Sequence, residues 1–223
     1  MARGEETFAQ MCERLKREKV PEIRSVDTIA ERRYFLIVSE GAKTEPIYFQ
    51  YFKDRLPHHM VDTIEIEPGG METIRVVELA IQKRAERSNR KPPYDEVWAV
   101  FDKDDFPPAS FNQAIAMAEQ NGIEHAASNE AFELWYILHY QYLDVAIRRE
   151  QYFGRLSKIL GFPYQKNTPA VVRHLFEYGN FRQAIIWARK LEEVHEGKTA
   201  AESCPYTRVY LLVERLAGYL GMQ

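Results

Sequence analysis

The chain has 223 residues, of which 45% are hydrophobic, so it is long enough to bury a core and too apolar to be a disordered chain. Its 30 basic and 33 acidic residues leave a formal net charge of -3. No global positive field therefore draws it to nucleic acid or to an anionic membrane, and any nucleic-acid contact needs a local basic patch.

The first part of the chain, residues 1–32, is predicted to be a charged N-terminal arm. Residues 7–19 fit an amphipathic helix, which is either a docking helix or poorly ordered, and Pro21 ends it. The arm has no apolar stretch typical of a secretion signal, and no run in the chain is long enough to span a bilayer. Cys12 and Cys204 lie far apart and fit no zinc or disulfide pattern. We therefore expect a cytoplasmic protein with no membrane partner.

Residues 33–145 are predicted to form an α/β domain. The uninterrupted apolar run at 34–38 is typical of a strand buried on both faces of a parallel sheet. The predicted strands are 34–38, 61–66, 96–101 and 123–127. Predicted helices follow them at 45–56, 72–87, 110–121 and 132–142. This alternation indicates a mostly parallel four-stranded sheet with flanking helices.

Residues 146–223 are predicted to be a helical C-terminal region, packed on or beside the α/β domain. Strand patterns fade after Asp144, and helices are predicted at 150–160, 168–176, 181–195 and 206–220. This region is either a dimer surface or a lid over a substrate, so a homo-oligomer remains an open alternative.

Acidic side chains follow two strands that lie far apart in the sequence. Glu40 comes directly after the first strand, and Asp102 and Asp104 come directly after the third. Ligands of open parallel sheets gather beyond the carboxyl ends of the strands. If the two strands are neighbours and the chain stays extended through Asp104, these carboxylates can share Mg2+ or Mn2+. Each one alone is as easily explained as a cap of the following helix; the two clusters together favour a metal site.

Further polar residues near these strand ends each have a functional and a structural interpretation. Lys43 either contacts a substrate phosphate or is solvated, and Glu133 is either a fourth metal ligand or a partner of its helix dipole. Asn129 either orients a ligand or bonds within its turn, and the sequence favours a packed His139 over a catalytic one. Basic residues scattered through the helical region form either a groove that binds phosphates or a solvated helix surface, and the solvated surface is favoured. They are Arg148, Arg149, Arg155, Lys158, Lys166, Arg173 and Arg182. No Walker-type loop is present.

Three motifs in order resemble the RloB family. They are FLIVSEGAKTEPIYF at 35–49, VWAVFDKD at 97–104 and SNEAFELWYILH at 128–139, and Pro205-Tyr206-Thr207 also fits. The resemblance covers about residues 33–220. It departs at Asn129-Glu130, where the family commonly has Asn-Pro, so the chain lacks the fixed φ of proline in that loop.

The resemblance implies a fold, a chemistry and partners. RloB proteins are regarded as relatives of the TOPRIM fold, in which a glutamate follows the first strand and Asp-x-Asp follows the third; here these are Glu40, Asp102 and Asp104. The fold implies Mg2+-dependent phosphoryl transfer, with the glutamate as acid/base or ligand and the aspartates as metal ligands. RloB genes are associated with restriction and phage-defence loci, often beside an AAA-type ATPase, which implies a nuclease or toxin-like effector held in check by that partner.

The leading hypothesis is therefore a metal-dependent nuclease that cleaves DNA or RNA, with tRNA among the RNA substrates considered. The alternative is a non-catalytic partner or sensor that binds nucleic acid or a nucleotide within a defence complex. The intact acidic triplet favours the enzyme. The modest net charge and the scattered basic residues favour either the alternative or a nuclease that needs a partner to deliver its substrate. Primase-like nucleotidyl transfer is disfavoured because the chain is short and has no obvious template-binding module.

Overall fold

A single mixed sheet organises the part of the protein that the computed structural model describes, residues 32–69, 72–87 and 91–222. Its strands lie in the order β2-β1-β3-β4-β5, with β1 to β4 parallel and β5 antiparallel to β4. This confirms the predicted α/β class with a mostly parallel sheet. The strands are β1 Phe35–Ser39, β2 Ile64–Pro68, β3 Glu96–Asp102, β4 Glu124–Asn129 and β5 Tyr206–Thr207.

Helices connect the strands and cover the sheet. The α-helices are α1 Thr44–Lys53, α2 Thr73–Glu86, α3 Pro108–Gln120, α4 Glu133–Leu138, α5 Arg149–Leu160, α6 Pro169–Tyr178, α7 Phe181–Val194 and α8 Val209–Tyr219, and a 3-10 helix spans His58–Thr63. Among the described helices, none is both long enough and apolar enough to cross a bilayer.

The two faces of the sheet contribute to two hydrophobic cores. Leu36 and Val38 of β1 pack with the buried residues of α2 and α3. Phe35 and Ile37 point the other way and pack with α1 and the C-terminal helices. Side chains alternate between the faces of a strand, so a strand covered on both sides needs an apolar residue at every position. This explains the uninterrupted apolar run in the sequence.

The C-terminal helices share the core on the α1 side of the sheet. Buried residues of α5 to α8 belong to the same cluster as Phe35 and Ile37, and the chain from Arg32 onward forms one compact unit. The division of the chain into residues 33–145 and 146–223 stays a prediction. The predicted arm at 1–32 lies, except for Arg32, outside the described residues, as does the helix predicted at 7–19.

Several predicted boundaries differ from the structure. The sheet has a fifth strand, β5, where the sequence predicted the start of the last helix, which instead begins at Val209. The second strand begins at Ile64 because the preceding residues form the 3-10 helix. The helix predicted at 132–142 ends at Leu138, and the carbonyl of His139 accepts a hydrogen bond from Asn180 N at 2.7 Å. Both β5 and this helix end depend on partners distant in sequence, which local patterns do not reveal.

Buried hydroxyl groups attach β5 to β4. Thr207 and Ser128 face each other across the two strands, and their side-chain oxygens lie 3.0 Å apart. Thr207 Oγ1 also accepts a hydrogen bond from Val209 N at 3.3 Å, at the beginning of α8. Both side chains are fully buried. The hydroxyl of Thr207 therefore links the sheet to the last helix.

We predict that Thr207→Val lowers the free energy of unfolding by about 1–3 kcal/mol, because it keeps the side-chain shape but leaves buried partners without a hydrogen bond. Urea denaturation measures the change. The double variant Ser128→Ala/Thr207→Val is the control, and it should recover part of the loss because both hydroxyls are then absent. A Thr207→Val protein as stable as the wild type would contradict this role for β5.

Candidate active site

Glu40 and Asp102 meet at the carboxyl edge of the sheet. Pairing of β1 with β3 places Ser39 beside Val100, and Glu40 N extends the ladder with a 2.8 Å hydrogen bond to the Val100 carbonyl. The Glu40 side chain then turns towards β3, where its Oε2 accepts a hydrogen bond from Asp102 N at 3.0 Å. Asp102 is almost completely buried. The two acidic positions predicted from separate strand ends are therefore in direct contact.

Asp104 lies in a turn rather than in an extension of β3. Its φ is 42°, in the left-handed region that aspartate tolerates better than most residues. Its backbone N donates to the Glu130 carbonyl at 3.0 Å. The predicted sharing of an ion by Asp102 and Asp104 depends on an extended chain, whereas the chain turns after Asp102.

Two further buried carboxylates extend the acidic cluster. Glu133, at the first residue of α4, is 1% exposed; its Oε1 accepts a 3.1 Å hydrogen bond from the Tyr164 hydroxyl. Glu45, in the first turn of α1, packs so closely on Gly41 that a Cβ at that glycine would collide with its carboxylate. Glu45, Asp102 and Glu133 line one cavity of about 140 Å³. The acidic cluster is thus Glu40, Glu45, Asp102, Asp104 and Glu133.

Two cations from the C-terminal region enter this cluster. Arg149, the first residue of α5, pairs through Nη1 with Asp104 Oδ2, and its Nη2 lies 3.7 Å from Asp102 Oδ2. Lys166 Nζ lies 3.5 Å from Glu133 Oε1. Both cations line the cavity. The sequence favours a solvated surface for these two residues, but in the structure they contact the acidic cluster.

The cluster holds more negative charge than its cations compensate, with five carboxyl groups against two basic groups. Four buried carboxylate oxygens have no hydrogen-bond partner among the described residues: Glu45 Oε2, Asp102 Oδ1, Asp104 Oδ1 and Glu133 Oε2. Buried polar atoms are normally paired, and an unpaired charged oxygen is costly. The unpaired oxygens therefore indicate a place where a cation or a proton is favoured.

Burial and mutual repulsion shift the titration of these groups. Burial raises the pKa of Glu40 from 4.5 to about 7, with the charges of Asp104 and Glu45 adding to the effect. Burial also raises the pKa of Asp102, followed by repulsion from Glu45 and Glu133. In Asp104 burial raises the pKa, although Arg149 opposes it. These carboxyl groups are therefore harder to ionise in the folded protein than in water.

The donor set fits a hard divalent cation in chemistry. All available ligands are carboxylate oxygens, which Mg2+ and Mn2+ prefer, and several are unpaired. Within the described residues, however, no group of three or more His, Cys, Asp or Glu side chains converges closely enough to hold a metal ion as placed. Instead, Arg149 and Lys166 bind carboxylates that a metal would need.

Other predicted site residues lie outside this cluster. Lys43 is exposed, and its side chain has no hydrogen bond or ion pair with another described residue, although its neighbours Ala42 and Thr44 line the cavity. Asn129 Nδ2 donates to the carbonyls of Ala200 and Ala201, at 3.2 and 3.1 Å, and so holds a loop.

His139 is a buried member of an aromatic cluster. Its Nε2 lies 3.2 Å from the Tyr48 hydroxyl, and the rings of Tyr48, Trp135 and Phe176 surround it. Burial lowers the pKa of His139 to about 3, so the ring is neutral at ordinary pH. These contacts are those of a packed histidine, the reading that the sequence favoured.

Sequence reasoning missed Glu45, Arg149 and Lys166 as members of the site. Glu45 was read as the beginning of a helix, although its position five residues after Glu40 was a usable signal, because a short loop at a strand end brings both into one region. Arg149 and Lys166 carry no local signal. Their place depends on how the segment 149–166 folds over the sheet edge.

We predict that the metal-free protein loses stability relative to Glu40→Gln as the pH rises from 4.5 to about 7. The folded state binds the Glu40 proton more tightly than the unfolded chain, so this contribution is complete below pH 4.5 and is lost through the folded pKa. The difference amounts to roughly 3 kcal/mol at most. Urea denaturation in EDTA at a series of pH values measures it, and parallel curves for the two proteins would contradict the raised pKa.

The comparison with protein families gave a match that spans this site. A family model described as RloB-like protein matches residues 35–216, which include all five carboxylates and both cations. Neither the curated proteins nor the solved structures gave a match. Since the match covers most of the chain, the protein belongs to the RloB-like family.

Proposed function

We propose that this RloB-like protein is a Mg2+- or Mn2+-dependent nuclease of TOPRIM type that cleaves phosphodiester bonds in DNA or RNA. The observation that carries the proposal is the contact between the Glu40 carboxylate and the backbone of Asp102. It brings the glutamate after β1 and the Asp-x-Asp that begins at the last residue of β3 to one sheet edge, the arrangement that the TOPRIM resemblance implies. The unpaired carboxylate oxygens around them add further support.

The ligands of the cation in this proposal are Asp102, Asp104, Glu40 and Glu133, with Glu45 as an additional candidate from the cavity lining. When bound, the cation supplies an acidified water and charge neutralisation at the phosphate. Because the five carboxylates repel an incoming polyanion, the protein must bind the cation before or together with the substrate.

Glu40 either completes the ligand set or transfers the proton, because a divalent cation on its carboxylate would hold that group ionised. With a pKa raised to about 7, it exchanges a proton near neutral pH, which suits a general acid or base. Its Oε2 is held by Asp102 N at 3.0 Å, so one carboxylate oxygen is fixed while the other is free to face a reacting group. Lys43, exposed on the loop between Glu40 and Glu45, contributes a phosphate contact as a point charge.

The non-catalytic alternative also has an observation in its favour. Arg149 and Lys166 bind site carboxylates, and no three-ligand group converges among the described residues. A binding partner or sensor that keeps the fold without turnover would tolerate such pairing. The catalytic proposal explains better why so many uncompensated carboxyl groups lie in one place. Such groups destabilise the fold, and a catalytic role gives a reason for the protein to keep them.

We expect the purified protein to cleave DNA, RNA or tRNA in Mg2+ or Mn2+, and Glu40→Gln and Asp102→Asn to reduce the rate roughly 100-fold or more. Gel analysis of labelled substrates measures the rate. Glu86→Gln is the matched control, because Glu86 is an exposed glutamate at the end of α2, away from the sheet edge. Cleavage that survives both site substitutions would refute the catalytic assignment.

The proposed biological role is phage defence with an AAA-type ATPase partner. We predict that cells carrying this gene and a neighbouring ATPase gene resist phage, and that Asp102→Asn abolishes resistance while Glu86→Gln retains it. Plaque counts on matched strains test this. Cleavage in vitro without any protection would separate the nuclease from the defence role, and equal protection by Asp102→Asn would favour the non-catalytic alternative.

A further inference from the structure

Arg149 occupies the position of a counter-ion in the acidic cluster. Its Nη1 pairs with Asp104 and its Nη2 lies 3.7 Å from Asp102, so one guanidinium bridges the two aspartates of the Asp-x-Asp motif. These are also the carboxylates that the cation of the proposed nuclease requires. The guanidinium lies against Oδ2 of each aspartate and leaves the two Oδ1 atoms unpaired, so a divalent cation bound at these carboxylates would lie directly beside the guanidinium charge and would be repelled by it.

The cluster requires such a counter-ion when no metal is bound. Asp102 is 4% exposed, and its charge is repelled by Glu45, Glu133, Glu40 and Asp104. Arg149 is the described basic side chain that contacts both aspartates. Lys166 compensates Glu133 on the other side of the cavity. Without Arg149, neither the buried Asp102 nor the half-buried Asp104 would have an ion-pair partner among the described residues of the metal-free protein.

The position of Arg149 also allows its guanidinium to move away from the two aspartates. Its side chain is 30% exposed, and it lines both the inner cavity of about 140 Å³ and an outer cleft of about 450 Å³. The cleft offers the guanidinium other acceptors in Glu130 and Glu150. Its backbone is fixed independently, by a 3.0 Å hydrogen bond from Arg149 N to Glu130 Oε2.

The bonding of Arg149 in its present position is incomplete. Its Nε is buried and has no acceptor among the described residues, while Asp102 Oδ1 and Asp104 Oδ1 are also unpaired. A better ligand for the aspartates can therefore displace it without breaking a complete hydrogen-bond network. A divalent cation supplies twice the charge and accepts more oxygens.

We propose that Arg149 is a tethered counter-ion that holds Asp102 and Asp104 in the metal-free protein and competes with the divalent cation for them. This inference rests on the proposed use of the cluster as a cation site. It makes Arg149 a positioning residue: it stabilises the empty site, sets the cation concentration at which the site fills, and moves towards the outer cleft when the cation binds.

The test measures Mn2+ affinity directly, by isothermal titration and by the spin-resonance signal of free Mn2+, so it does not depend on cleavage. We expect Arg149→Gln to lower the Kd for Mn2+ roughly tenfold or more, within the range typical of coupling between competing ligands. Arg149→Lys keeps the charge but loses the forked guanidinium, so its Kd for Mn2+ should lie between those of Arg149→Gln and the wild type.

Arg148→Gln is the matched control, because it removes the same charge from the neighbouring, exposed residue that lines only the outer cleft. It should change the Kd by less than about twofold, the effect of a screened surface charge. Equal gains from Arg148→Gln and Arg149→Gln would mean that only the general field matters and would overturn the proposal. So would unchanged or weaker Mn2+ binding by Arg149→Gln, or no Mn2+ binding by any variant.

Thermal melting covers the case in which Arg149→Gln folds poorly. In EDTA its Tm should lie below that of the wild type, and Mn2+ should raise it by more than it raises the wild-type Tm. Equal Mn2+-induced shifts in both proteins would overturn the proposal. Tighter Mn2+ binding by Arg149→Gln together with cleavage that survives Asp102→Asn would refute the nuclease proposal and support the counter-ion proposal. Unchanged or weaker Mn2+ binding by Arg149→Gln together with loss of cleavage in Asp102→Asn would support the nuclease proposal and refute the counter-ion proposal.

Discussion

The parallel pairing of β1 with β3 is the constraint on which the candidate site depends. It places Ser39 beside Val100, so that the residues following each strand emerge at the same edge of the sheet. Glu40 can then reach the backbone of Asp102. A slip of β1 by one residue against β3 would send the Glu40 side chain to the opposite face of the sheet from its present one and away from Asp102. The two hydrophobic cores that pack on both faces of β1 therefore also fix the position of Glu40, which follows its last residue.

Concentrated negative charge is the main cost of this arrangement. Glu45, Asp102 and Glu133 are each almost completely buried, and burial raises the pKa of Glu45 and Asp102. The C-terminal region offsets part of that cost through Arg149 and Lys166. Its helices therefore contribute to the site as well as to the core. A site that destabilises its own fold in this way is typical of functional clusters, where stability and activity conflict.

The sequence was sufficient to predict the parts of the structure that local patterns encode. The apolar runs of β1 and β3 located the strands, and the acidic residues directly after them located Glu40 and Asp102. The turn at Asp104 was missed because left-handed backbone at an aspartate has no distinctive pattern. Strand β5 and the roles of Arg149 and Lys166 arise from packing between distant segments, which no local periodicity encodes. For Glu45 the sequence predicted the beginning of a helix and no role in the site.

The most direct test of the account is to locate a divalent cation in the protein. Crystals grown with Mn2+ would be measured at a wavelength where manganese scatters anomalously. The account predicts an anomalous peak roughly 2.0–2.3 Å from carboxylate oxygens of Asp102 and at least one of its acidic neighbours. It also predicts that the Arg149 guanidinium has moved away from Asp102. A peak elsewhere, or no peak while Arg149 still bridges the two aspartates, would contradict the account.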